Sequence, residues 1–169
     1  TRTLVHCYAP ELAVREMISK LNDHLYRNTD SKYFVTMFYG IYDTLSQKLS
    51  FTSAGHTPAI LLRGNKVESL SVAGVALGAI SCSMYDNLIK TKTLQMKSGD
   101  TFVLYTDGIV EAMNEHNQEY GEERFTTILE KNSQKSTEEI KSALLADLKK
   151  HTGRFLQSDD MTLLIIKIH

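Results

Sequence analysis

Cysteine is nearly absent from this chain. Cys7 and Cys82 are the only two, they stand far apart, and they form no Cys-x-x-Cys pair. That excludes a disulfide scaffold and a cysteine-based zinc or redox motif, and reads as two buried thiols in a reducing compartment. Charge of either sign is not in excess: 19 Lys+Arg stand against 20 Asp+Glu, a formal charge of -1. A protein that grips nucleic acid or an anionic membrane carries a basic stripe or a polybasic run, and none is found here. No apolar run approaches the ~20 residues that a membrane helix needs, and no signal-peptide pattern is visible. A cytoplasmic location is therefore the expectation, and partner choice has to come from local sites.

What is present is enough for one domain. The 169 residues are 42% hydrophobic and 23% charged, which suits a soluble chain with a sizeable core. Pro10 and Glu11 open a helical pattern in which Val14, Ile18, Leu21 and Leu25 recur on one face. Residues 34–42 form a nearly continuous apolar run rich in aromatic and β-branched types, which predicts a central strand. Strands follow at 49–53, 58–62 and 67–70, the first of them forming a hairpin with 34–42. Residues 71–85, small and glycine-containing, read as a loop with Val75 and Leu77 as anchors. Residues 87–96 alternate and predict a half-exposed strand. Ser98-Gly99-Asp100 is a tight turn before residues 101–106, a strand apolar on both faces. A helix is predicted over 121–131, with Phe125, Ile128 and Leu129 on one side. A second runs from Thr137 to about His151, capped by Ser136 or Thr137, with Ile140, Leu144, Leu145 and Leu148 as its stripe. A final apolar strand covers 161–168. About seven strands, mostly joined as hairpins, with helices grouped near the start and before the last strand, make an α+β pattern.

Two acidic sites share a feature. Asp107 follows one apolar strand and Asp159-Asp160 precede another. Carboxylates beside buried strands are costly unless something positive pairs with them, and no Lys or Arg lies in either local segment: Arg124 is the first after Asp107 and Arg154 the last before Asp159. Carboxylates converging at one sheet edge repel each other, and a hard divalent cation such as Mg²⁺ or Mn²⁺ relieves this. Taken singly, Asp107-Gly108 reads equally as a turn and Asp159-Asp160 as a loop and strand cap.

The sequence around these sites resembles a known family. Tyr105-Thr106-Asp107-Gly108-Ile109-Val110-Glu111-Ala112 is similar to the signature of the stage II sporulation protein E (SpoIIE-type) phosphatases, of the metal-dependent protein phosphatase (protein phosphatase 2C) superfamily. Phe34-Val35-Thr36-Met37-Phe38 resembles the family's central strand, and Ala54-Gly55-His56-Thr57-Pro58 its Ala-Gly-His loop. Ser98-Gly99-Asp100 precedes the signature strand as in the family. Tyr120-Gly121-Glu122-Glu123-Arg124-Phe125 resembles the helix start after it, and Asp159-Asp160-Met161-Thr162 the closing Asp-Asp-x-Thr motif. Each piece is weak alone, but six in the right order span nearly the whole chain.

The resemblance implies two packed antiparallel β-sheets flanked by helices. It implies a binuclear Mn²⁺ or Mg²⁺ centre that activates water for in-line hydrolysis of phosphoserine or phosphothreonine. Asp107 and Asp159 map onto direct metal ligands, and Asp160 onto a position that supports the ligands from outside. His56 becomes a phosphate-contacting or loop-organising candidate. Gly108 serves backbone geometry beside the ligand. Glu111, four residues after Asp107, joins the site if a helical turn starts there. The loop at 74–85 lies where the family has mobile elements near substrate. The implied substrate is a phosphorylated anti-sigma-factor antagonist in partner-switching signalling.

One departure is serious: the family's Asp-x-Ser-Gly-His-Gly motif, whose Asp bridges both metals, occurs nowhere in the chain. The chain opens at Thr1 without Met, and residues 1–8 read as the tail of a helix. The expectation is a single SpoIIE-type domain, 1–169, lacking its first strands and an upstream sensor, and catalytically incomplete by itself. Loss of those strands would expose part of the Val14/Ile18/Leu21/Leu25 stripe and favour a homodimer. The alternatives are a non-catalytic phosphatase-like binding module and a metal-dependent hydrolase of small phosphoesters.

Overall fold

The structure, a computed structural model, describes residues 5, 12–30, 32–154 and 159–169. The chain divides into two compact units, Thr1–His56 with Ser71–Met96, and Thr57–Leu70 with Lys97–His169. Each has its own antiparallel sheet, its own helices and its own apolar core. The helical tail expected over residues 1–8, the helix opening at Pro10 and Glu11, and Cys7 lie outside the described residues, apart from Val5.

In the first unit, helix α1 (Val14–Asn28) lies on strands β1 (Met37–Asp43) and β2 (Lys48–Ala54). Strand β5 (Lys92–Gln95) completes a sheet of order β1-β2-β5. The predicted stripe faces the core, and Val14, Ile18, Leu21 and Leu25 are all buried, with Met17 beside them. This corrects the expectation that part of the stripe would be exposed: Ile18, Leu21 and Leu25 pack with Ala54, Leu77, Tyr85 and Ile89. Among the described residues the run at 34–42 is an edge rather than a central strand: Met37–Asp43 pairs on one side, with β2 (Met37↔Ala54 to Asp43↔Lys48), and Phe34 is exposed. Aromatic rings half in solvent and half on a core look in sequence like a fully buried run.

Residues 82–88 are a helix, α2 (Cys82–Leu88), rather than part of a loop and an alternating strand. Tyr85 and Ile89, four apart, are both buried against α1. That helical pair outweighs the alternation of Leu88 and Leu94, and the strand is confined to β5. The segment before α2 is pinned rather than loose. The fully buried Asn22 side chain accepts from the Gly78 N–H at 2.9 Å and donates to the Ile80 carbonyl at 3.1 Å. Val35 and Leu77 exchange two backbone hydrogen bonds at 3.0 and 2.8 Å, and the Tyr85 hydroxyl donates to the Val75 carbonyl. At Gly74 there is no room for a side chain: a Cβ would lie 1.7 Å from the Ser53 carbonyl oxygen.

The second unit carries strands β3 (Ala59–Arg63), β4 (Lys66–Leu70), β6 (Thr101–Tyr105) and β7 (Leu163–Lys167) in the order β4-β3-β6-β7. β3 and β6 are the inner strands, which is why both read as continuous apolar runs. A single helical turn, α3 (Asp107–Val110), follows β6 directly. Helices α4 (Glu122–Asn132) and α5 (Thr137–Thr152) pack together over one face of the sheet. Phe125, Leu129, Ile140, Leu144 and Leu148 meet Ile60, Leu62, Val103 and Tyr105 there. Leu145 falls off the predicted stripe and is exposed. Ser136 caps α5 in a reciprocal box with Glu139, each side chain bonded to the other's backbone N–H. Next to the glycine turn, the buried Asp100 carboxylate takes both Nε (2.9 Å) and Nη2 (2.6 Å) of Arg63 and the Lys97 N–H (2.8 Å). Two antiparallel sheets flanked by helices are thus as expected. Among the described residues no helix is long and apolar enough to cross a membrane.

Candidate metal centre

Strands β6 and β7 run antiparallel with Tyr105 opposite Leu163. Continuing that register by one step sets Thr106 opposite Thr162, and this is where the chain changes from strand to helical turn. The Thr106 N–H donates to the Thr162 carbonyl at 3.1 Å, as a ladder requires. The return bond is altered. The Thr162 N–H donates at 2.8 Å to the Thr106 hydroxyl, not to the Thr106 carbonyl. That carbonyl is engaged instead by the Ile109 N–H at 3.1 Å, inside the first turn of α3. The Thr106 hydroxyl in turn donates to the Asp160 carbonyl at 3.0 Å.

The acidic pairs are thereby brought side by side. Gly108 packs on the backbone of the closing motif, and a Cβ there would sit 2.6 Å from the Asp160 oxygen and 3.5 Å from the Asp159 carbonyl carbon. Gly108 is buried, whereas Asp107, Asp159 and Asp160 are exposed. One oxygen of Asp107 accepts from the Gly108 N–H at 3.0 Å, and one of Asp159 from the Asp160 N–H at 2.7 Å. The Glu111 N–H closes the turn onto the Asp107 carbonyl at 2.9 Å, so the helical turn that would align Glu111 with Asp107 exists, with the Glu111 side chain exposed. Buried Ile109, Val110 and Ala112 anchor the turn in the unit's core. Backbone bonds from Gly121 to Val110 and from Tyr120 to Ala112 tie the start of α4 back to the end of the turn.

The expected cost of buried, unpaired carboxylates does not apply, because the carboxylates face solvent at the end of the buried strands. The first Lys or Arg after the signature, Arg124, is committed elsewhere. It makes two hydrogen bonds to Asp147 (2.7 and 3.0 Å), lies 3.2 Å from His151 Nδ1 and stacks over Tyr120. Burial first, then the hydrogen bond to Asp147, push the Tyr120 hydroxyl far above its ordinary value. His56 belongs to the other compact unit. Its N–H donates to the Ser53 hydroxyl at 3.1 Å, and that hydroxyl donates to the His56 carbonyl. The next residue, Thr57, hydrogen-bonds the Tyr105 carbonyl at 2.5 Å, within the second unit and at the end of the signature strand.

Two carboxylates with a glycine cradle between their backbones suit a hard divalent cation in donor chemistry. They are an incomplete set: among the described residues no group of three or more His, Cys, Asp or Glu gathers as a cation site. Sequence reasoning named Asp107, Gly108, Asp159, Asp160 and Glu111, which the structure assembles at one strand end. It gave no role to Thr57, Thr106 or Thr162. The available signal was a threonine directly before Asp-Gly where a strand must become a turn.

The family model described as "Stage II sporulation protein E (SpoIIE)" matches residues 1–169. The chain belongs to the SpoIIE family. Among its relatives, this SpoIIE chain is 26% identical over 162 residues to the phosphoserine phosphatase RsbU of Bacillus subtilis, covering 94% of the chain and 47% of that protein. In structure it resembles the PP2C domain of SiaA from Pseudomonas aeruginosa, with TM-score 0.80 and 23% identity over 98% of the chain and 66% of that domain. It also resembles the manganese-presoaked phosphatase domain of SpoIIE from Bacillus subtilis, with TM-score 0.63 and 23% identity over 99% of the chain and 72% of that domain. The fold is that of PP2C phosphatase domains. The chain spans at most about half the length of the curated relatives it matches.

Proposed function

We propose that this chain is the part of a Mn²⁺- or Mg²⁺-dependent protein phosphatase that carries two of its metal ligands, Asp107 and Asp159, and that its substrate is phosphoserine or phosphothreonine in a protein. The observation that carries this reading is the joining of the two acidic motifs at Gly108, whose missing Cβ lets the closing motif approach. A divalent pair, when bound, supplies charge neutralisation at the phosphoryl group and a nucleophile at neutral pH. The chain's own contribution is positional. Asp107 and Asp159 would hold the cation through oxygen, and the backbones of Gly108 and Asp160 would fix the distance between them. Asp160 and Glu111, exposed beside them, are outer candidates that would bond water around the metal. His56 stands in a loop organised by the Ser53 hydroxyl, which favours loop organisation over direct phosphate contact.

The resemblance to the SpoIIE-type phosphatases points to a phosphorylated anti-sigma-factor antagonist in partner-switching signalling, in the cytoplasm, as the substrate, and the similarity to a phosphoserine phosphatase supports it. The remaining ligands, of which the Asp-x-Ser-Gly-His-Gly motif is the family's usual source, would come from sequence outside these 169 residues, so the chain alone would turn over poorly. A second reading, a binding module without catalysis, is favoured by one observation: no third ligand gathers among the described residues. The test is Mn²⁺-dependent phosphate release from a phosphoserine protein and from a nucleotide, by the chain extended upstream of Thr1. Release from the phosphoprotein that disappears in Asp107→Asn supports the phosphatase. Preference for the nucleotide would move the reading to small phosphoesters, and no release from either to the binding module.

A further inference from the structure

We infer that Thr106 is a positioning residue for the candidate centre, and that its hydroxyl sets the separation of Asp107 and Asp159. The inference rests on the metal reading above and adds a residue to it.

At the end of β6 the Thr106 carbonyl has two claimants: the Thr162 N–H, which would continue the ladder with β7, and the Ile109 N–H, which starts α3. In this fold it serves the helical turn. An unfilled N–H on the partner strand would let the closing motif drift from the signature. The Thr106 hydroxyl substitutes for the carbonyl, accepting from the Thr162 N–H at 2.8 Å. Its own proton goes to the Asp160 carbonyl at 3.0 Å. One side chain thus bonds the closing motif on both sides of Met161. It does so one residue before Asp107 and at the residue after Asp159.

Gly108 supplies the complementary limit. It lets the Asp160 backbone come close, while the Thr106 hydroxyl holds it there. A strand continuing regularly past Thr106 would have no use for the hydroxyl, and a turn starting without it would leave the exposed Thr162 N–H to water and the two motifs without this link. The residue needed at this point carries a hydroxyl on Cβ, so serine serves and the isosteric valine does not.

The test is a Mn²⁺ titration of the chain, read by paramagnetic broadening of the Gly108 and Asp160 amide signals, with amide exchange at Thr162 followed in metal-free protein. Thr106→Val is expected to weaken Mn²⁺ about tenfold or more, the scale seen when an outer partner of a metal ligand is lost, and to speed Thr162 exchange. Thr106→Ser is expected to stay within about twofold of wild type on both readouts. Equal Mn²⁺ midpoints for Thr106→Val and wild type would overturn the inference. So would a serine variant as weak as the valine one, which would assign the effect to the methyl group. If the valine variant does not fold, wild type and Thr106→Ser decide: a protected Thr162 amide in both supports the clamp, and fast exchange in wild type overturns it. Asp107→Asn and Asp159→Asn separate the two claims. If they abolish broadening while Thr106→Val does not, only Thr106 fails; if they leave broadening unchanged, the metal reading and this inference fall together.

Discussion

Replacing Gly108 by alanine tests the joint between the two acidic motifs. The new Cβ would start 2.6 Å from the Asp160 oxygen and 3.2 Å from its carbonyl carbon. Ordinary contact begins at about 3.4 Å, so the closing motif must retreat by about 0.8 Å. The obstacle is backbone, tied to Thr106, and cannot swing aside as a long side chain would. Overpacking of this kind costs about 1–3 kcal/mol. Alanine in the α3 turn returns about 0.5–1 kcal/mol through reduced chain entropy, leaving a net loss of about 1–2 kcal/mol. The effect on the site should exceed the effect on stability, since misplacing reacting groups by ~1 Å can cost ~100-fold in rate. Urea unfolding followed by circular dichroism gives the first quantity, and the Mn²⁺ midpoint and phosphatase rate of the upstream-extended chain give the second. Gly64→Ala is the control: nothing lies near a Cβ there, and only a positive φ of 60° opposes it, for about 1 kcal/mol. A Gly108→Ala protein as stable as wild type, with the same Mn²⁺ midpoint, would refute the reasoning.

Two further predictions concern the frame of the second unit. Burial raises the Asp100 carboxyl, but the Arg63 guanidinium and the Lys97 N–H outweigh it and hold the group below the usual carboxylate range. Its stabilisation is therefore complete above the unfolded value of about 3.9 and is lost as pH falls through the lower folded value. Asp100→Asn should cost about 2–3 kcal/mol at pH 7, less than a fully buried pair because Arg63 keeps partial solvent contact. The difference from wild type should shrink below about pH 4 in urea titrations, and a pH-independent difference would contradict the assignment. Ser136→Ala removes the capping box of α5 and should lower stability by about 1 kcal/mol in the same assay, with the Mn²⁺ midpoint unchanged.

Helices α1, α4 and α5 and the inner strands were legible because their patterns are local. Val14, Ile18, Leu21 and Leu25 repeat on one face, Ser136 and Glu139 form a box, and β6 is apolar on both sides. The acidic motifs were legible through their neighbours in sequence. What was hidden depends on long-range pairing. The half-exposed aromatics at 34–42 imitate a buried strand, and α2 is fixed by Tyr85 and Ile89 meeting α1 rather than by its own periodicity. Asn22 lies within the amphipathic helix and carries no signal of its own in the sequence, yet it holds a segment 56 residues away. The carboxylates were expected to be costly because their strands are buried, but strand ends reach solvent, and burial of a strand does not extend to the residue that leaves it. The role of Thr106 needs the partner strand, whose unanswered N–H is what makes the hydroxyl useful.

The central claim is that Asp107 and Asp159 hold a catalytic divalent cation. Its most direct test is the Mn²⁺ dependence of phosphoserine-protein dephosphorylation by the upstream-extended chain, measured alongside Asp107→Asn and Asp159→Asn. The predicted activity requires Mn²⁺ or Mg²⁺ and falls at least ~100-fold in either variant, a loss of the size expected when a group that acts directly on the transition state is removed. Metal-independent activity, or activity that survives both substitutions, would contradict it.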